Sequence, residues 1–359
     1  MVQPWMPNGF GTQSLYIFQA NFVPKSNNSP GTVHSTGEAT TSQMTQGGVH
    51  LPHADGGMSV RFGFRVVELV QSPLPGGRSY FFRVNGQPIP VRGSNFVPYD
   101  SIENRGGGGN VTWSARFMRG LRDSGQNMIR IWGGGLYQTD VVLDQLDEAG
   151  VMVWQDAMYS DAEYQVNPSF LASVTAEMHY NARRMQPHPS IALYAGNNEI
   201  EGAYSPGSPD TKYYGELFFG TVLPAVLSVD TSRPTQGSSP SNGNETLAHP
   251  VAANVRDPFY GDDHKYLYTE DPFDVRIYDR PRFMSEFGLQ SWPELETMQR
   301  FLDPDQLYYY SPQMVRRNHH PQGVSQIVQQ MQRHYVLPPA LDNHTSNASG
   351  LEAILYLTQ

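Results

Sequence analysis

Apolar and polar residues along the chain fall into two patterns that divide it near residue 75. Over 10–23 and 58–71 the two kinds alternate, with aromatic and β-branched side chains at many of the apolar positions. That alternation predicts strands with one buried face. Between them, 26–57 is Gly, Ser, Thr, Asn and His with almost nothing to bury, which reads as a long loop. Two or so strands cannot close a sandwich, so 1–75 is expected to be part of a β domain that begins elsewhere.

From about residue 77 short apolar runs alternate with segments of helical period, the pattern of a parallel α/β fold. A hairpin, Tyr80–Val84 and Ile89–Val91 around Asn85-Gly86, leads in. Strands are expected at 90–96, 127–132, 150–155, 191–195, 234–237, 265–268 and 281–285. Helices are expected at 113–123, 139–149, 168–186, 211–228 and 293–302, then at 324–335 and 350–359. Gly150 stands where a helix C-cap should be, and Pro168 behind Asn167 where a helix should start. The expected fold is a (β/α)8 TIM-type barrel over 76–359 that lacks its last strand, preceded by the C-terminal part of a β domain over 1–75.

The stretch Ile-Ala-Leu-Tyr-Ala-Gly-Asn-Asn-Glu at 191–199 carries the first chemical signal. Five apolar residues suit a strand buried on both faces, and the run stops at Gly196, Asn197, Asn198 and Glu199. A carboxylate just past the C-terminal end of a parallel strand is where barrel enzymes hold catalytic groups; Asn198 and Glu199 could equally only open the next helix. Glu286 stands in the same context, after a short apolar strand and before Gly288. Two carboxylates facing each other ~5–5.5 Å apart are what retaining glycoside hydrolysis needs, one as nucleophile and one as acid/base. The nucleophile must be ionised and the acid must hold its proton.

Composition narrows the partners. A net charge of −10 with three lysines, Lys25, Lys212 and Lys265, disfavours nucleic acid. The 12% aromatic share suits ring-shaped ligands. With no cysteine, disulfides and thiolate metal sites are excluded. No apolar run approaches the ~18–20 residues of a membrane span, and the first residues do not read as a secretory signal. Sequons at Asn27, Asn110, Asn244, Asn343 and Asn347 give weak support to a secretory route. His34, His50 and His53 show no ligand spacing and are read as solvated loop residues. His319 and His320, after Arg316 and Arg317, are read the same way.

Several motifs resemble the β-mannosidases of glycoside hydrolase family two. They are Gly-Asn-Asn-Glu at 196–199, Ser-Glu-Phe-Gly-Leu-Gln-Ser-Trp-Pro at 285–293 and Arg-Ile-Trp-Gly-Gly-Gly at 130–135. Val-Asn-Gly-Gln-Pro-Ile at 84–89, Arg-Gly-Ser-Asn-Phe-Val-Pro at 92–98, Val-Trp-Gln-Asp at 153–156 and His-Pro-Ser at 188–190 continue it. Gly-Phe-Arg-Val-Val-Glu-Leu at 63–69 matches the family's link between an immunoglobulin-like domain and the barrel. The resemblance thereby implies that the β domain over 1–75 is the C-terminal part of an immunoglobulin-like β-sandwich. The resemblance covers nearly the whole chain, with 26–57 and 100–110 matched least. It implies a retaining exo-acting β-mannosidase that removes terminal β-mannose from glycan-derived oligosaccharides, with no metal or organic cofactor, in the lysosome or outside the cell. Glu199 falls on the acid/base, Glu286 on the nucleophile and Asn198 on the residue that holds the sugar 2-hydroxyl. Trp132 matches an aromatic near the axial 2-hydroxyl of mannose, and Tyr268 a tyrosine that hydrogen-bonds the nucleophile. Arg130, Asp156 and Trp292 are weaker matches, each with a structural alternative: an ion pair, a turn cap and core packing. Trp-Gly-Gly-Gly at 132–135 favours the mannosidase branch over galactosidases and glucuronidases, which carry a Ser-His-Tyr-Pro-like segment there.

Three features depart from the family. Phe96 replaces a Trp, the N-terminal jelly-roll domain is missing, and the last barrel strand lies beyond Gln359. The chain is therefore expected to be a fragment of a longer protein. The alternatives are another family-two β-glycosidase (an endo-β-mannosidase, exo-β-glucosaminidase or β-galactosidase) or a non-catalytic carbohydrate-binding remnant.

Overall fold

The structure, a computed structural model, describes residues 2–21, 57–98, 100, 111–247, 249–338 and 348–359. The loop expected at 26–57, its three histidines and four of the five sequons fall outside the described residues almost entirely. Chain contacts divide the protein into two units, Met1–His264 with Pro281–Glu286, and Lys265–Arg280 with Phe287–Gln359. Each is described by itself.

The first unit opens with two small antiparallel assemblies. β1 (Tyr16–Asn21) pairs with β2 (Gly57–Phe62). The alternating stretch expected to run on to 71 breaks at Gly63, where a Cβ would lie 2.8 Å from Pro189 Cγ. It resumes as β3 (Val67–Val70), after which β4 (Pro73–Leu74) and β5 (Gly77–Arg78) form a minimal ribbon. β3 joins the expected hairpin, β6 (Phe81–Val84) and β7 (Gln87–Ile89), in a three-stranded sheet.

The α/β part is built on a five-stranded sheet. β8 (Gly93–Phe96), β9 (Met128–Ile131), β10 (Met152–Asp156), β11 (Ile191–Ala195) and β12 (Thr235–Gln236) lie side by side in chain order, every pair parallel. Helices fill the crossovers. They are α1 (Val111–Asp123), α2 (Asp140–Ala149) and α3 (Pro168–Met185), then a run of α4 (Thr211–Tyr214), a π-helical stretch Gly215–Val222 and α5 (Leu223–Leu227). Gly150 ends α2 in the left-handed conformation with its N–H on Leu146 O, and Asn167 Oδ1 accepts from Phe170 N at the start of α3.

Period-two alternation in these strands sorts side chains onto two faces. Ile129, Ile131 and Val153 pack with Met118, Leu143, Leu146 and Met178 of the helices. Met128, Met152, Trp154 and Leu193 pack on the opposite face with Trp5, Phe82, Val84 and Ile89. Each enclosed side chain of this size contributes roughly 1.5–3 kcal/mol over its exposed state. The second face changes character along the strands: apolar at Met128 and Met152, charged at Arg130 and Asp156. The site begins there.

β13 (Asp263–Lys265) and β14 (Met284–Phe287) pair with each other and lie a few residues from their expected positions at 265–268 and 281–285. The Lys-Tyr-Leu-Tyr alternation after His264 suggested the strand, but Asp263 and His264 are the buried residues. Their burial comes from hydrogen bonding rather than apolarity, so hydrophobic pattern missed it.

The second unit has its own core. Trp292, Met298, Leu302, Tyr309, Met314, Ile327, Met331, Leu351 and Ile354 are buried together. Its helices are α6 (Leu295–Met298), α7 (Pro312–Arg317), α8 (Gly323–His334) and α9 (Ala348–Thr358). The helix expected at 293–302 shortens to one turn. Among the described residues no helix is long and apolar enough to cross a membrane.

Candidate active site

Glu199 sits four residues beyond the end of β11, and the chain turns sharply to put it there. Gly196 passes so close to β12 that a Cβ would lie 2.4 Å from Gly237 O. Asn197 is buried and ties the turn together: its Nδ2 donates to Gly237 O at 2.8 Å, and its Oδ1 accepts from Ser238 Oγ and Ile200 N. Glu199 itself has a φ of 58°, the left-handed region that a residue with a Cβ rarely adopts. The surrounding bonds hold it there, Glu199 N donating to Ser239 O at 2.9 Å. Strain of this kind concentrates at functional sites.

Arg130 is the organising cation. Its guanidinium is enclosed and its five N–H donors all have acceptors. Nε and Nη2 reach the two oxygens of Asp156, at 3.4 and 2.6 Å, and Nη2 also reaches Asn198 Oδ1 at 2.8 Å. Nη1 reaches Asn95 Oδ1 at 2.9 Å and is bonded to Glu286 Oε1. Burial pushes the Asp156 carboxyl up, against the pull of Arg130, Gly133 N–H and Trp154 Nε1–H. Asp156 is thus an anchor for the arginine and for the glycine turn, with no exposed surface of its own.

That turn explains the glycines after Trp132. A Cβ on Gly133 would meet Tyr159 O at 2.7 Å, and one on Gly134 would sit 2.1 Å from the Trp132 ring. The indole therefore lies against Gly134, half-buried at the strand end. Asn198 completes the floor, its Nδ2 donating to Ser160 Oγ and Asp161 Oδ2.

Glu286 is the next-to-last residue of β14, its side chain 10% exposed, while Glu199 is 28% exposed. His264, on β13, stands between them: Nδ1 is 2.6 Å from Glu199 Oε1 and 3.6 Å from Glu286 Oε2. Carboxylate oxygens of Glu199 and Glu286 and the His264 nitrogen all lie within 4.8 Å of one another. Burial, then the charge of Arg130, brings His264 down to about 3, so the imidazole is neutral. A divalent ion could use three such ligands, but the Arg130 guanidinium already supplies positive charge at Glu286. Two carboxylates of this separation, one of them part-exposed, can address two faces of one small molecule.

Glu199, Glu286, Arg130, Asp156, Asn198 and Trp132 are therefore brought together at the C-terminal ends of β9, β10, β11 and β14. Tyr268 and Trp292 belong to the second unit. There Tyr268 stacks on Tyr266 and lines a cavity of about 150 Å³ with Phe273, Gln330 and His334. Trp292 is enclosed, 6% exposed, with its Nε1–H on Tyr309 Oη at 3.2 Å. Sequence reasoning left Asn95, His264, Asp262, Ser239 and Arg256 unassigned. Asn95 stood inside the 92–98 motif already singled out and His264 just before an expected strand, so a polar residue at a strand end was the available signal.

No protein-family model matches the chain. Among curated proteins it is 35% identical to the β-mannosidase of Rattus norvegicus over 374 residues and 36% identical to that of Mus musculus over 375. Both alignments take in all of this chain and 38% of the relative's length. Among solved structures it matches the β-D-mannosidase of Dictyoglomus thermophilum with a TM-score of 0.78 and 27% identity, over 99% of this chain and 40% of that one. The chain thus spans less than half the length of these relatives, and along its whole length it is similar to part of a β-mannosidase.

Proposed function

We propose that the chain carries the catalytic pair of a retaining exo-β-mannosidase, acting on terminal β-mannose of glycan-derived oligosaccharides. The observation that carries this reading is the facing pair, Glu199 and Glu286, with oxygens within 4.8 Å. An approach this close suits direct attack by one carboxylate better than the ≈ 6.5–9.5 Å separation at which inverting enzymes seat a water. Glu286, oriented by Arg130, attacks the anomeric carbon while Glu199 protonates the departing oxygen. Glu199 then draws a proton from water, which displaces Glu286 and releases mannose. Asn198, held by Arg130 on one side and Asp161 on the other, presents its amide to the 2-hydroxyl, and the Trp132 ring takes the sugar face. Trp292 is read as a packing residue of the second unit.

The sheet β8 to β12, with β13 and β14, is read as seven consecutive strands of a (β/α)8 barrel over 76–359, with 1–75 as part of a separate β domain. Strands in unbroken chain order support this, as does Asn95 Nδ2 donating to Ser285 O at 2.9 Å, which links the first of these strands to the last. The remaining strand and a jelly-roll domain are assigned to the rest of a longer protein. A lysosomal or secreted location goes with this reading, and exposed Asn244 is its sequon among the described residues.

The test is covalent trapping. The full-length protein is incubated with 2-deoxy-2-fluoro-β-mannosyl fluoride, whose fluorine slows breakdown of the glycosyl-enzyme, and the label is mapped by peptide mass spectrometry. Label on Glu286 is expected; label on another residue sinks the assignment.

A further inference from the structure

We propose that His264 is the positioning residue that holds the proton on Glu199, its tautomer fixed by a relay that runs from Asp262 through Ser239. The proposal rests on the reading of Glu199 as acid/base.

The argument starts at Asp262, which is buried and receives four donors. Ser239 Oγ–H and Ser285 Oγ–H reach Oδ2 at 2.7 and 2.6 Å; Gln236 Nε2–H and Ser241 N–H reach Oδ1, both at 3.1 Å. A carboxylate has about four lone-pair sites, so Asp262 is filled as an acceptor. Burial pushes it up to about 6, which leaves it ionised at pH 7. Ser239 has a single hydroxyl proton, and it is spent on Asp262.

Ser239 Oγ also lies 3.1 Å from His264 Nε2. With its proton committed it can only accept there, so Nε2 carries the hydrogen. A neutral imidazole has one N–H, and Nδ1 is left with a bare lone pair. Nδ1 stands 2.6 Å from Glu199 Oε1. Two bare acceptors repel at that distance, and the contact becomes a hydrogen bond when Glu199 supplies the proton. The other charged groups that bear on the ring do not supply one. Glu286 is an acceptor, Arg130 and Arg256 are cations that disfavour an imidazolium, and Asp161 acts only through its charge. Arg256 Nη2 also lies 3.7 Å from Glu199 Oε1 and favours the carboxylate, but it is half-exposed and screened, whereas the Nδ1 lone pair is buried and 2.6 Å away. Asp263, next in the chain, accepts from the His264 backbone N–H.

The relay assigns a direction to each half of the reaction. In the first step the Glu199 O–H bond breaks, the proton moves to the glycosidic oxygen, and that oxygen keeps the electron pair of its bond to the anomeric carbon. The protons on Nε2 and Ser239 stay in place. Glu199 is then a carboxylate facing a lone pair, and this repulsion favours its taking a proton from water in the second step. Water oxygen bonds to the anomeric carbon as Glu286 leaves.

Two experiments on the full-length protein decide the matter. Neutron diffraction from deuterated crystals at pH 7 is expected to show deuterium on Nε2 of His264 and on Glu199. Deuterium on Nδ1 with Nε2 bare overturns the relay. Kinetics give a readout that a purely structural role would not move. Ser239→Ala frees the tautomer with little change in volume, and His264→Gln removes the Nδ1 acceptor. On β-1,4-mannobiose, whose leaving group needs the proton, kcat/KM is expected to fall about 10-fold and about 100-fold respectively. On 2,4-dinitrophenyl β-mannoside, which needs none, both should lose less than about threefold, and the alkaline limb of the mannobiose profile should move about one pH unit lower. Equal losses on both substrates with an unmoved limb overturn the proposal. If the unaltered protein cleaves neither substrate, the mannosidase reading fails and the neutron map alone still decides the relay.

Discussion

Two buried clusters of acids and bases sit at opposite ends of β11, and they are built for different ends. Before the strand, Asp144 and Asp147 of α2 meet Arg61 and His188. Arg61 Nη2 lies 2.7 Å from Asp144 Oδ1, and His188 Nδ1 lies 2.7 Å from Asp147 Oδ2. Asp147 also accepts from Ser190 N at 2.9 Å. The carboxylates there are paired with a guanidinium and an imidazole, and none of the four residues has a positive φ. Beyond the strand, the Arg130 cluster uses the same residue types but ends in Glu199, part-exposed and held at positive φ. Buried charge is common to both. What separates a fastening from a reactive site is a carboxylate left partly unenclosed on a strained backbone, opposite a second one.

The largest expected effects sharpen that contrast. Glu286→Gln should lower kcat/KM of the full-length protein by roughly 10⁵-fold or more, the scale seen when a nucleophile is lost. Glu199→Gln should cost about 10²–10⁴-fold on substrates with poor leaving groups. Glu199→Gln should lower the unfolding free energy little, because Glu199 is part-exposed and glutamine keeps the shape of its side chain. Asp147→Ala is the converse. It leaves His188 and the Ser190 N–H without their acceptor, and breaking a buried pair costs about 3–5 kcal/mol. Denaturant unfolding should register that loss while kcat/KM per folded molecule stays unchanged. A large fall in kcat/KM for Asp147→Ala would mean the two ends of β11 are coupled.

A third prediction lies between these two. Gly134→Ala puts a methyl where the Trp132 ring now rests, 2.1 Å from its nearest atom, so the indole must swing away. We expect KM to rise about tenfold with kcat little changed, since one lost apolar contact is worth about 1–3 kcal/mol. An unchanged KM would remove Trp132 from the sugar face.

How much of this was legible in the sequence differs between the clusters and between kinds of signal. β9, β10 and β11 were readable because runs such as Ile191–Ala195 are apolar and end abruptly, and Gly150 and Asn167 marked helix ends by their side-chain chemistry. Glu199 and Glu286 were readable because each follows such a run. β13 was misplaced because Asp262, Asp263 and His264 are buried in a hydrogen-bond network reaching Gln236, Ser239, Ser285 and Glu199, which has no hydrophobic period. His188-Pro189-Ser190 was noticed as a motif, yet its role as a fastening to Asp147 depends on a partner 41 residues away. Local pattern does not encode such pairings, and the relay from Asp262 to Glu199 draws on three separate segments for the same reason.

The two histidines, one in each cluster, give the sharpest comparison, because their shifts are opposite in sign. At His188 burial disfavours the charge, but the Asp147 carboxylate, with Asp144 and Asp140 behind it, outweighs burial and raises the value above 6.5. At His264 burial lowers the value to about 3, and Arg130 adds to it. A raised histidine binds its proton more tightly folded than unfolded. Its contribution is complete below pH 6.5 and is lost as pH rises through the folded value. A lowered histidine is the reverse: between pH 3 and 6.5 the unfolded chain binds a proton that the folded one does not. Stability from that source is complete above 6.5 and is lost as pH falls toward 3. Unfolding free energy measured against pH should therefore slope down on the alkaline side because of His188 and on the acid side because of His264. The acid-side contribution is on the order of a few kcal/mol. His188→Asn should flatten only the first slope and His264→Gln only the second. If His264→Gln left the acid slope intact, the imidazole would be gaining a proton in the folded protein, and the bare Nδ1 facing Glu199 would be ruled out.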